Sequence, residues 1–508
     1  MRTSIASFII ILLIASSCSS TKKTTSGDDG KIIINFVQVN DVYEIAPLNG
    51  GKDGGLARVA TIKKKYLREN PNTYLVMAGD FLSPSVYNSL PYEGKAIRGR
   101  QMVEAMNAAG TDIAVFGNHE FDIKEGELQA RLNESHFDWV SSNSFHKVGD
   151  NISPFEKNKN PIPESWIRTY TDGDGTKIRI GYIGLNIPFT KTPYVTYTDP
   201  LAAAKKLYAQ IKDSVDAVIA ITHQAIQDDE ILAKEIPGLA LIIGGHEHDQ
   251  RFEKIGKIYI TKALANAKSA YILKVSFNKR KHKVSVTPTL EILNENVSLD
   301  SATNVVVQKW VTIANNSYAA VGFDPRKVVM TNSGPLEGRE SEIRKHPTNL
   351  TKMIVKAMQF VSKQADVAII NSGSIRVDDV LQMPVTQYDI LRTLPFGGGV
   401  KEVDMKGSLL VQVLDAGLKN YDIGGFLQYN ENLHRDNIPG KWMLNGTTID
   451  ETKIYHVAIT EYLLSGAEAN LPFLKLDNPA ITKVYEFPAD DIRSDIRKVI
   501  FYYLSDGK

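Results

Sequence analysis

Histidine, aspartate and asparagine side chains follow five apolar segments in the first half of the chain, each at the point where the segment ends. They are Asp41, Asp80, Asn118 with His119, His223, and His246 with His248. If the segments are strands of an α/β sheet, these residues lie beyond its carboxyl edge, where ligands bind in open α/β folds. Carboxylate, amide and imidazole groups without thiolate suit Mn, Zn, Fe or Ca-like divalent ions. Two such ions about 3.5–4 Å apart can stabilise an in-line phosphoryl transfer. The placement of these residues at five segment ends therefore predicts a two-metal site for phosphoryl chemistry.

Two of these segments carry more specific motifs. In GNHEFD (117–122), Asp122 follows His119 by three residues, which makes the histidine a general acid that its aspartate partner can orient. In GGHEHD (244–249), the paired glycines allow the backbone to pass close to a crowded site. Either motif is more specific than a lone aspartate after a strand, which is usually a turn residue.

The elements that must position these residues alternate between apolar strands and amphipathic helices, which is typical of an α/β fold. We expect helices over 57–69, 97–109 (ending at Gly110) and 301–320, followed by a second α/β pattern from 328 with helices over 349–363, 406–419 and 488–505. The expected strands span 32–40, 73–80, 112–120, 178–186, 217–223, 240–248, 271–278 and 367–372.

The first 30 residues have the pattern of an export signal. Arg2 is followed by an apolar run from Ile5 to Ser17, which is shorter than the ~20 residues a bilayer span needs. Small residues then lead directly to Cys18, so the segment resembles the lipobox of bacterial lipoproteins, with lipidation at Cys18. The alternative is an ordinary signal peptide with an incidental cysteine. We therefore divide the chain into a signal peptide (1–17), a tether (18–30), a first domain (31–300), a linker helix (301–327) and a second domain (328–508).

Composition excludes several classes of protein. The 59 Lys and Arg residues against 58 Asp and Glu give a net charge of +1, so no net field attracts a nucleic-acid polymer or anionic lipid. A single cysteine excludes internal disulfides and Cys-rich metal sites. We expect membrane contact only through the lipid anchor, in the cell envelope, and the sequence indicates no protein partner.

The ordered motifs resemble those of the calcineurin-like metallophosphoesterases. The second domain adds NSGSIR (371–376), VTQYDILRTLPFGGGV (385–400) and GGFLQ (424–428), and the whole chain then resembles the 5′-nucleotidase / UDP-sugar hydrolase family. The resemblance implies an α/β fold in which a metallophosphoesterase β-sandwich, flanked by helices, precedes a C-terminal α/β substrate-binding domain. It also implies two divalent metal ions (Mn, Zn, Co or Ca) and a small nucleotide or other phosphate ester as substrate.

Residue roles follow from the same resemblance. Asp41 and His248 would bind the first metal, Asp80 would bridge, and Asn118, His223 and His246 would complete the second site. His119, oriented by Asp122, would act at the phosphoryl group, which a metal-bridging hydroxide attacks. Arg376 would bind the substrate phosphate, Phe426 and Tyr462 would stack on the base, and Glu468 would contact the nucleoside.

The sequence departs from the family pattern at three places. Tyr43 stands where the family has a histidine ligand, so either its phenolate coordinates a strongly acidic ion, or it points elsewhere and water or Glu44 replaces the lost ligand. We favour the second alternative and expect weaker binding of the first metal. Ala467 replaces a glycine, Glu468 replaces an aspartate, and Gly398 stands where an asparagine is frequent. The phosphoryl machinery is therefore better supported than the nucleoside pocket.

The leading hypothesis is a phosphohydrolase that acts on nucleoside 5′-monophosphates. The same scaffold leaves open a sugar-phosphate phosphatase, a 2′,3′-cyclic nucleotide phosphodiesterase or a nucleotide-sugar diphosphatase. A non-catalytic nucleotide-binding lipoprotein is the alternative from another class, and the retention of His119 and Asp122 argues against it.

Overall fold

The computed structural model describes residues 28–189, 192–436 and 441–506. Cys18, the predicted signal peptide and most of the tether therefore lie outside the described residues. Within the described ranges, no helix combines the length and the apolar character that crossing a bilayer requires.

Two six-stranded sheets form the core of the first domain. In spatial order, the strands of the first sheet are Lys283–Ile292, Ser269–Asn278, Lys31–Val39, Thr73–Ala78, Ile113–Val115 and Asp138–Val140. Those of the second sheet are Ser165–Thr171, Lys177–Asn186, Ala217–His223, Leu241–Gly245, Ile258–Lys262 and Arg251–Ile255. The strands that precede the candidate ligands run parallel to one another within each sheet. Their carboxyl ends therefore meet at one edge.

The two sheets pack face to face, and helices cover their outer faces. Between the sheets, a cluster of buried side chains includes Phe36 and Val76 from the first sheet and Tyr182 and Ile221 from the second. The helices Leu56–Glu69, Arg100–Ala109 and Glu125–Glu134 cover the first sheet, and Pro200–Ile211 and Ile226–Glu235 cover the second. The predicted β-sandwich flanked by helices is confirmed.

Several element boundaries differ from those expected. The helix over 97–109 begins at Arg100 after Gly99, and the strand over 112–120 ends at Val115, because GNHEFD turns into a short 3₁₀ helix, His119–Asp122. The expected strand over 240–248 ends at Gly245, before both histidines. The edge strands Ser165–Thr171 and Lys283–Ile292 were missed, because half-exposed edge strands lack a continuous apolar run.

The helix Ser301–Ala320, predicted as a linker, packs against the first domain. Its Val307, Trp310 and Tyr318 side chains are buried in the same core as the helices that cover the first sheet. The Trp310 indole N–H donates a hydrogen bond to Glu104 (2.9 Å). This helix therefore shares the buried core of the first domain.

A five-stranded sheet forms the second domain. Its strands, in spatial order, are Leu427–Tyr429, Val367–Asn371, Ile454–Thr460, Val400–Lys406 and Ile481–Tyr485. Helices Asn349–Val361 and Ile496–Asp506 cover one face and Gly407–Lys419 the other, while Glu340–Ile343 and Gln387–Thr393 lie toward the first domain. The last helix begins at Ile496 rather than near 488, since a 3₁₀ turn, Ile492–Ser494, precedes it.

Polar contacts join the two domains beside the candidate site. The Tyr388 hydroxyl donates to Glu44 (2.5 Å), and the Lys268 ammonium contacts Asp379 (2.5 Å). Leu391 of the second domain belongs to the buried core of the first. The edge that carries the candidate ligands thus faces the loops of the second domain.

A partly buried histidine in the five-stranded sheet of the second domain should make the stability of the protein depend on pH. The imidazole of His456 contacts Glu402 and Asp404, each at 2.7 Å. Burial lowers the pKa of His456, but hydrogen bonds to the two carboxylates outweigh it, so the pKa lies above its usual value. The folded state therefore binds this proton more tightly than the unfolded chain, whose histidine has a pKa of about 6.5.

We expect the stabilisation by His456 to be complete below about pH 6.5 and to be lost as the pH rises through the folded-state pKa. Urea unfolding at several pH values should show this loss in the wild type and a flatter profile in His456→Gln. The exposed His434, changed to glutamine, is the control and should leave the profile unchanged. Parallel profiles for the wild type and His456→Gln would contradict the prediction.

Candidate metal centre

Two buried carboxylates form the centre of the candidate site. Asp41 follows the strand Lys31–Val39 and Asp80 follows Thr73–Ala78, with exposures of 0% and 1%. Both residues adopt left-handed backbone conformations (φ 52° and 54°), which are uncommon for residues other than glycine and mark a local constraint. Asp41 Oδ2 accepts hydrogen bonds from the His246 amide (2.9 Å) and from the Asn40 side chain (2.7 Å).

Glycines allow the backbone to approach these carboxylates. A Cβ atom on Gly117 would lie 2.2 Å from Asp80 Oδ1, and one on Gly245 would lie 2.4 Å from the Ala78 carbonyl oxygen. Both distances are far below van der Waals contact, so a side chain at either position would displace the strand ends. The glycines of GNHEFD and GGHEHD are therefore required by the packing of the site.

His223 presents one ring nitrogen to both carboxylates. Its Nδ1 donates to the Ala78 carbonyl oxygen (2.8 Å), so Nε2 is the ring nitrogen that can offer a lone pair to a metal ion. Nε2 lies 3.0 Å from Asp80 Oδ2 and 3.8 Å from Asp41 Oδ1. Burial lowers the pKa of His223, but the Asp80 and Asp41 carboxylates outweigh it and raise the pKa to about 9. The field at this point attracts a cation.

The donor atoms fit a divalent metal ion. Among the described residues, Asp41 Oδ1 and His223 Nε2 are buried and have no aligned hydrogen-bond partner. Ligand atoms of Asp41, Asp80 and His248 lie within 4.8 Å of one another. Buried polar atoms without hydrogen bonds are costly unless something else satisfies them. Oxygen and imidazole ligands in this arrangement suit a divalent ion, as the sequence predicts.

His246 and Asn118 lie at the periphery of this cluster. The His246 ring packs edge-on against that of His223, with centroids 5.4 Å apart, and burial together with His223 lowers the pKa of His246 to about 3. Asn118, 3% exposed, directly precedes His119 in the loop that contacts Asp80. Their position is compatible with ligands of a second ion, and that role remains a prediction.

Tyr43 points into the site, which overturns the favoured expectation that it turns away. Its hydroxyl lies 3.2 Å from Asp80 Oδ2, to which it donates, and 2.8 Å from His248 Nε2. Burial and the Asp80 and Asp41 carboxylates raise the pKa of Tyr43 well above its usual value, which disfavours a phenolate. Glu44, the suggested replacement ligand, accepts a hydrogen bond from Tyr388 (2.5 Å), and its role as a ligand remains a prediction.

The His119–Asp122 pair expected from GNHEFD is joined by a hydrogen bond. His119 Nδ1 lies 2.6 Å from Asp122 Oδ2, and the His119 amide donates to Asp80 Oδ1 (2.8 Å). Its other ring nitrogen, Nε2, lies 2.9 Å from Nη2 of Arg376, which comes from the second domain. Burial lowers the pKa of His119, but Asp122 and Asp80 raise it above the usual value. The imidazole can therefore hold a proton that Asp122 stabilises.

Sequence reasoning missed Glu120, which lies inside the same motif. Its carboxylate accepts hydrogen bonds from the amides of Asp80 (2.9 Å), Phe81 (2.7 Å) and Leu82 (3.0 Å). Burial and the charge of Asp80 raise the pKa of Glu120 to about 7. The carboxylate shapes the Asp80 loop, and the polar residue between His119 and Phe121 was its only signal.

The residues expected at the nucleoside lie near one another in the second domain. Glu468 accepts a hydrogen bond from Asn371 (2.7 Å). Burial, and to a lesser extent the charge of Glu468, raises the pKa of the Tyr462 hydroxyl. Phe426 is 7% exposed and packs edge-on against Tyr421, with centroids 6.2 Å apart. Tyr462 is 47% exposed. No ring contact joins Phe426 to Tyr462 in the described part of the chain, so the stacking of a base between them remains a prediction.

Comparisons with known proteins agree with this architecture. Residues 34–250 match the calcineurin-like phosphoesterase family, and residues 328–475 match the 5′-nucleotidase C-terminal domain. A 5′-nucleotidase of Bos taurus is 25% identical over 413 residues, covering 74% of this chain and 68% of its own. A trifunctional nucleotide phosphoesterase of Bacillus subtilis is 26% identical over 417 residues, covering 73% of this chain and 27% of its own.

A solved structure shares the whole fold. The 5′-nucleotidase precursor of Thermus thermophilus superposes with a TM-score of 0.71 at 20% identity, covering 94% of this chain and 97% of its own. The two domains occur here in the order that the matched families predict. The chain is therefore a phosphoester hydrolase that belongs to the 5′-nucleotidase family of calcineurin-like metallophosphoesterases.

Proposed function

We propose that this protein removes phosphate from nucleoside 5′-monophosphates with the help of two divalent metal ions. One observation carries the proposal: Arg376 of the second domain lies 2.9 Å from the ring of His119 in the first. The interface thus brings a group suited to a phosphate and a group suited to proton transfer to one point. His119 is also linked directly to the carboxylate cluster, because its backbone amide donates a hydrogen bond to Asp80 (2.8 Å).

Asp41, Asp80 and His248 would hold one ion, and Asp80, Asn118, His223 and His246 would hold the other. When bound, such ions supply an activated water nucleophile at neutral pH and neutralise charge on the phosphoryl oxygens. Hydrogen bonds orient two of the residues that would hold the ions: the Ala78 carbonyl oxygen orients His223, and the His246 amide orients Asp41.

Arg376 would bind the phosphoryl oxygens. A guanidinium group forms two parallel hydrogen bonds to a phosphate, and Glu340 (2.7 Å) fixes its orientation. A phosphoryl group that enters between Arg376 and His119 would replace their mutual hydrogen bond with bonds to its own oxygens. His119 Nε2 would then donate to the phosphoryl group or the leaving oxygen, while Asp122 stabilises the imidazolium.

Phe426, Tyr462 and Glu468 would recognise the nucleoside. An aromatic ring adds affinity for any flat base, whereas a carboxylate such as Glu468 accepts hydrogen bonds from hydroxyl or amino groups. The side chain of Glu468 is held by Asn371, so the longer arm of glutamate is already fixed in one pose.

We further propose that Cys18 carries the lipid that anchors the protein in the cell envelope. The support is the sequence pattern that precedes it and the fact that the chain has one cysteine.

His119→Ala should lower kcat for AMP by roughly 10²- to 10⁴-fold, since it removes the group that transfers a proton. Metal content, measured by mass spectrometry of the purified protein, should not change. The control is His146→Ala, which removes a histidine that pairs with the half-exposed Glu125 (2.7 Å) outside the site. A His119→Ala protein with wild-type turnover would refute the assignment of the dyad.

Chelation should abolish phosphate release from AMP, and Mn, Zn, Co or Ca added singly should restore it.

Tyr462→Ala should raise KM for AMP by about 5- to 150-fold if its ring stacks on the base, because a stacked base contributes about 1–3 kcal/mol. Hydrolysis of ribose 5-phosphate, which has no base, should be unaffected. Tyr502→Ala, which removes a tyrosine of similar exposure (42%) on the last helix, is the matched control.

The substrate panel also includes 2′,3′-cyclic AMP and UDP-glucose. Turnover of ribose 5-phosphate alone would retain the metal chemistry and refute the nucleoside assignment. If the protein prefers the cyclic nucleotide or the nucleotide sugar, that compound replaces the nucleoside monophosphate as the assigned substrate. AMP binding without turnover, with every metal added, would identify a binding protein.

Expression in bacteria with an alkyne-labelled fatty acid should label the wild-type protein and place it in the membrane fraction. Cys18→Ser should abolish the label and release the protein from the membranes, because the chain has no second cysteine. Unlabelled wild-type protein in the soluble fraction would favour an ordinary signal peptide.

A further inference from the structure

We propose that Asp378 of the second domain is a positioning residue for His248, so that the first metal site is completed across the interface between the two domains. The inference rests on the proposed function, in which His248 is a ligand of the first ion. It concerns a residue that the motifs of the first domain do not contain.

The two ring nitrogens of His248 face different domains. Nδ1 is in direct contact with the Asp378 carboxylate, and Nε2 lies 3.3 Å from Asp41 Oδ1 and 2.8 Å from the Tyr43 hydroxyl. Because a carboxylate only accepts, Nδ1 must donate to Asp378, which leaves Nε2 as the nitrogen whose proton a metal ion can displace. Asp378 thus holds the ring with Nε2 turned toward Asp41, where the first ion would bind. Histidine ligands of metals usually have such a carboxylate behind them.

Asp378 is itself held firmly. Its Oδ2 contacts His248, while its Oδ1 accepts a hydrogen bond from the Glu340 amide (2.5 Å). Its backbone is left-handed (φ 35°), a constraint that the surrounding contacts maintain. The Glu340 side chain in turn binds Arg376, two residues before Asp378 (2.7 Å). One loop therefore delivers Arg376 to His119 and Asp378 to His248.

The identity of residue 43 makes this support important. Tyr43 offers a phenol where the 5′-nucleotidase family has an imidazole ligand. The first site then depends on the carboxylates of Asp41 and Asp80 and the imidazole of His248, whose ligand atoms converge. With fewer ligands, the orientation of His248 contributes a larger share of the affinity. The contact between Asp378 and His248 thus makes the orientation of this ligand depend on a loop of the second domain.

The test is equilibrium dialysis of the whole protein against Mn²⁺, which gives the affinity of each of the two sites. Asp378→Ala should weaken one site by roughly 10- to 100-fold, the usual effect of removing a partner behind a metal ligand. The other site should be unchanged. Asp378→Asn should lie between Asp378→Ala and the wild type, because an amide oxygen still accepts from Nδ1, and it carries the test if the alanine variant does not fold.

The neighbouring residue provides a matched control. Asp379 contacts Lys268 of the first domain (2.5 Å) and Arg392 (3.6 Å), but its carboxylate is not the one that contacts His248. Asp379→Ala therefore removes an interdomain ion pair and leaves His248 supported. Both Mn²⁺ affinities should stay at the wild-type level. Equal weakening in Asp379→Ala and Asp378→Ala would mean that the interface as a whole matters, and would overturn the positioning role.

His248→Ala separates a failure of this inference from a failure of the proposed metal site. If His248→Ala loses one Mn²⁺ and Asp378→Ala does not, Asp378 is not a positioning residue and the site stands. If His248→Ala retains both ions at wild-type affinity, the ligand assignment and the inference both fail. In addition, nitrogen NMR of labelled histidine, at a pH where the ring is neutral, should show the Nδ1–H tautomer at His248 in the wild type and its loss in Asp378→Ala. An unchanged tautomer would also contradict the proposal.

Discussion

The burial of Asp41 and Asp80 is the constraint on which the rest of the structure depends. Each is almost completely inaccessible to solvent, and removing a carboxylate from water costs several kcal/mol unless positive charge or hydrogen bonds offset it. The fold supplies amide hydrogen bonds from the His119 and His246 loops, and it directs His223 at both carboxylates. A centre that still leaves Asp41 Oδ1 without an aligned hydrogen bond is organised for a cation.

Meeting that constraint requires two sheets rather than one. Asp41 and Asp80 follow strands of the first sheet, whereas His223 ends a strand of the second. The side chains meet only because the sheets pack face to face with their parallel strands ending at the same edge. The glycines at 117 and 245 then let the loops close to contact distance. A substitution that separates the sheets by an ångström would therefore affect the site before it affected either sheet.

Sequence reasoning succeeded where function depends on local pattern and failed where it depends on contacts between distant segments. Strand ends and motif order predicted that Asp41, Asp80 and His223 converge, because parallel strands impose that geometry. Tyr43 was misplaced, since its neighbours Asp80 and His248 come from elsewhere in the chain. Asp378 lies 130 residues beyond His248, and no local pattern could join them. The edge strand Lys283–Ile292 was missed because one of its faces meets solvent.

Charge balance links the first-domain cluster to the kind of group that fits it. Asp41 and Asp80 contribute two negative charges, and neutral imidazoles and the Tyr43 phenol contribute none. Two divalent ions with one bound hydroxide would therefore leave about one positive charge at the centre. The Arg376 charge is already balanced by Glu340. The electrostatics of these residues thus favour an anionic phosphate ester, and the choice between a monoester and a diester falls to the groups that contact the rest of the substrate.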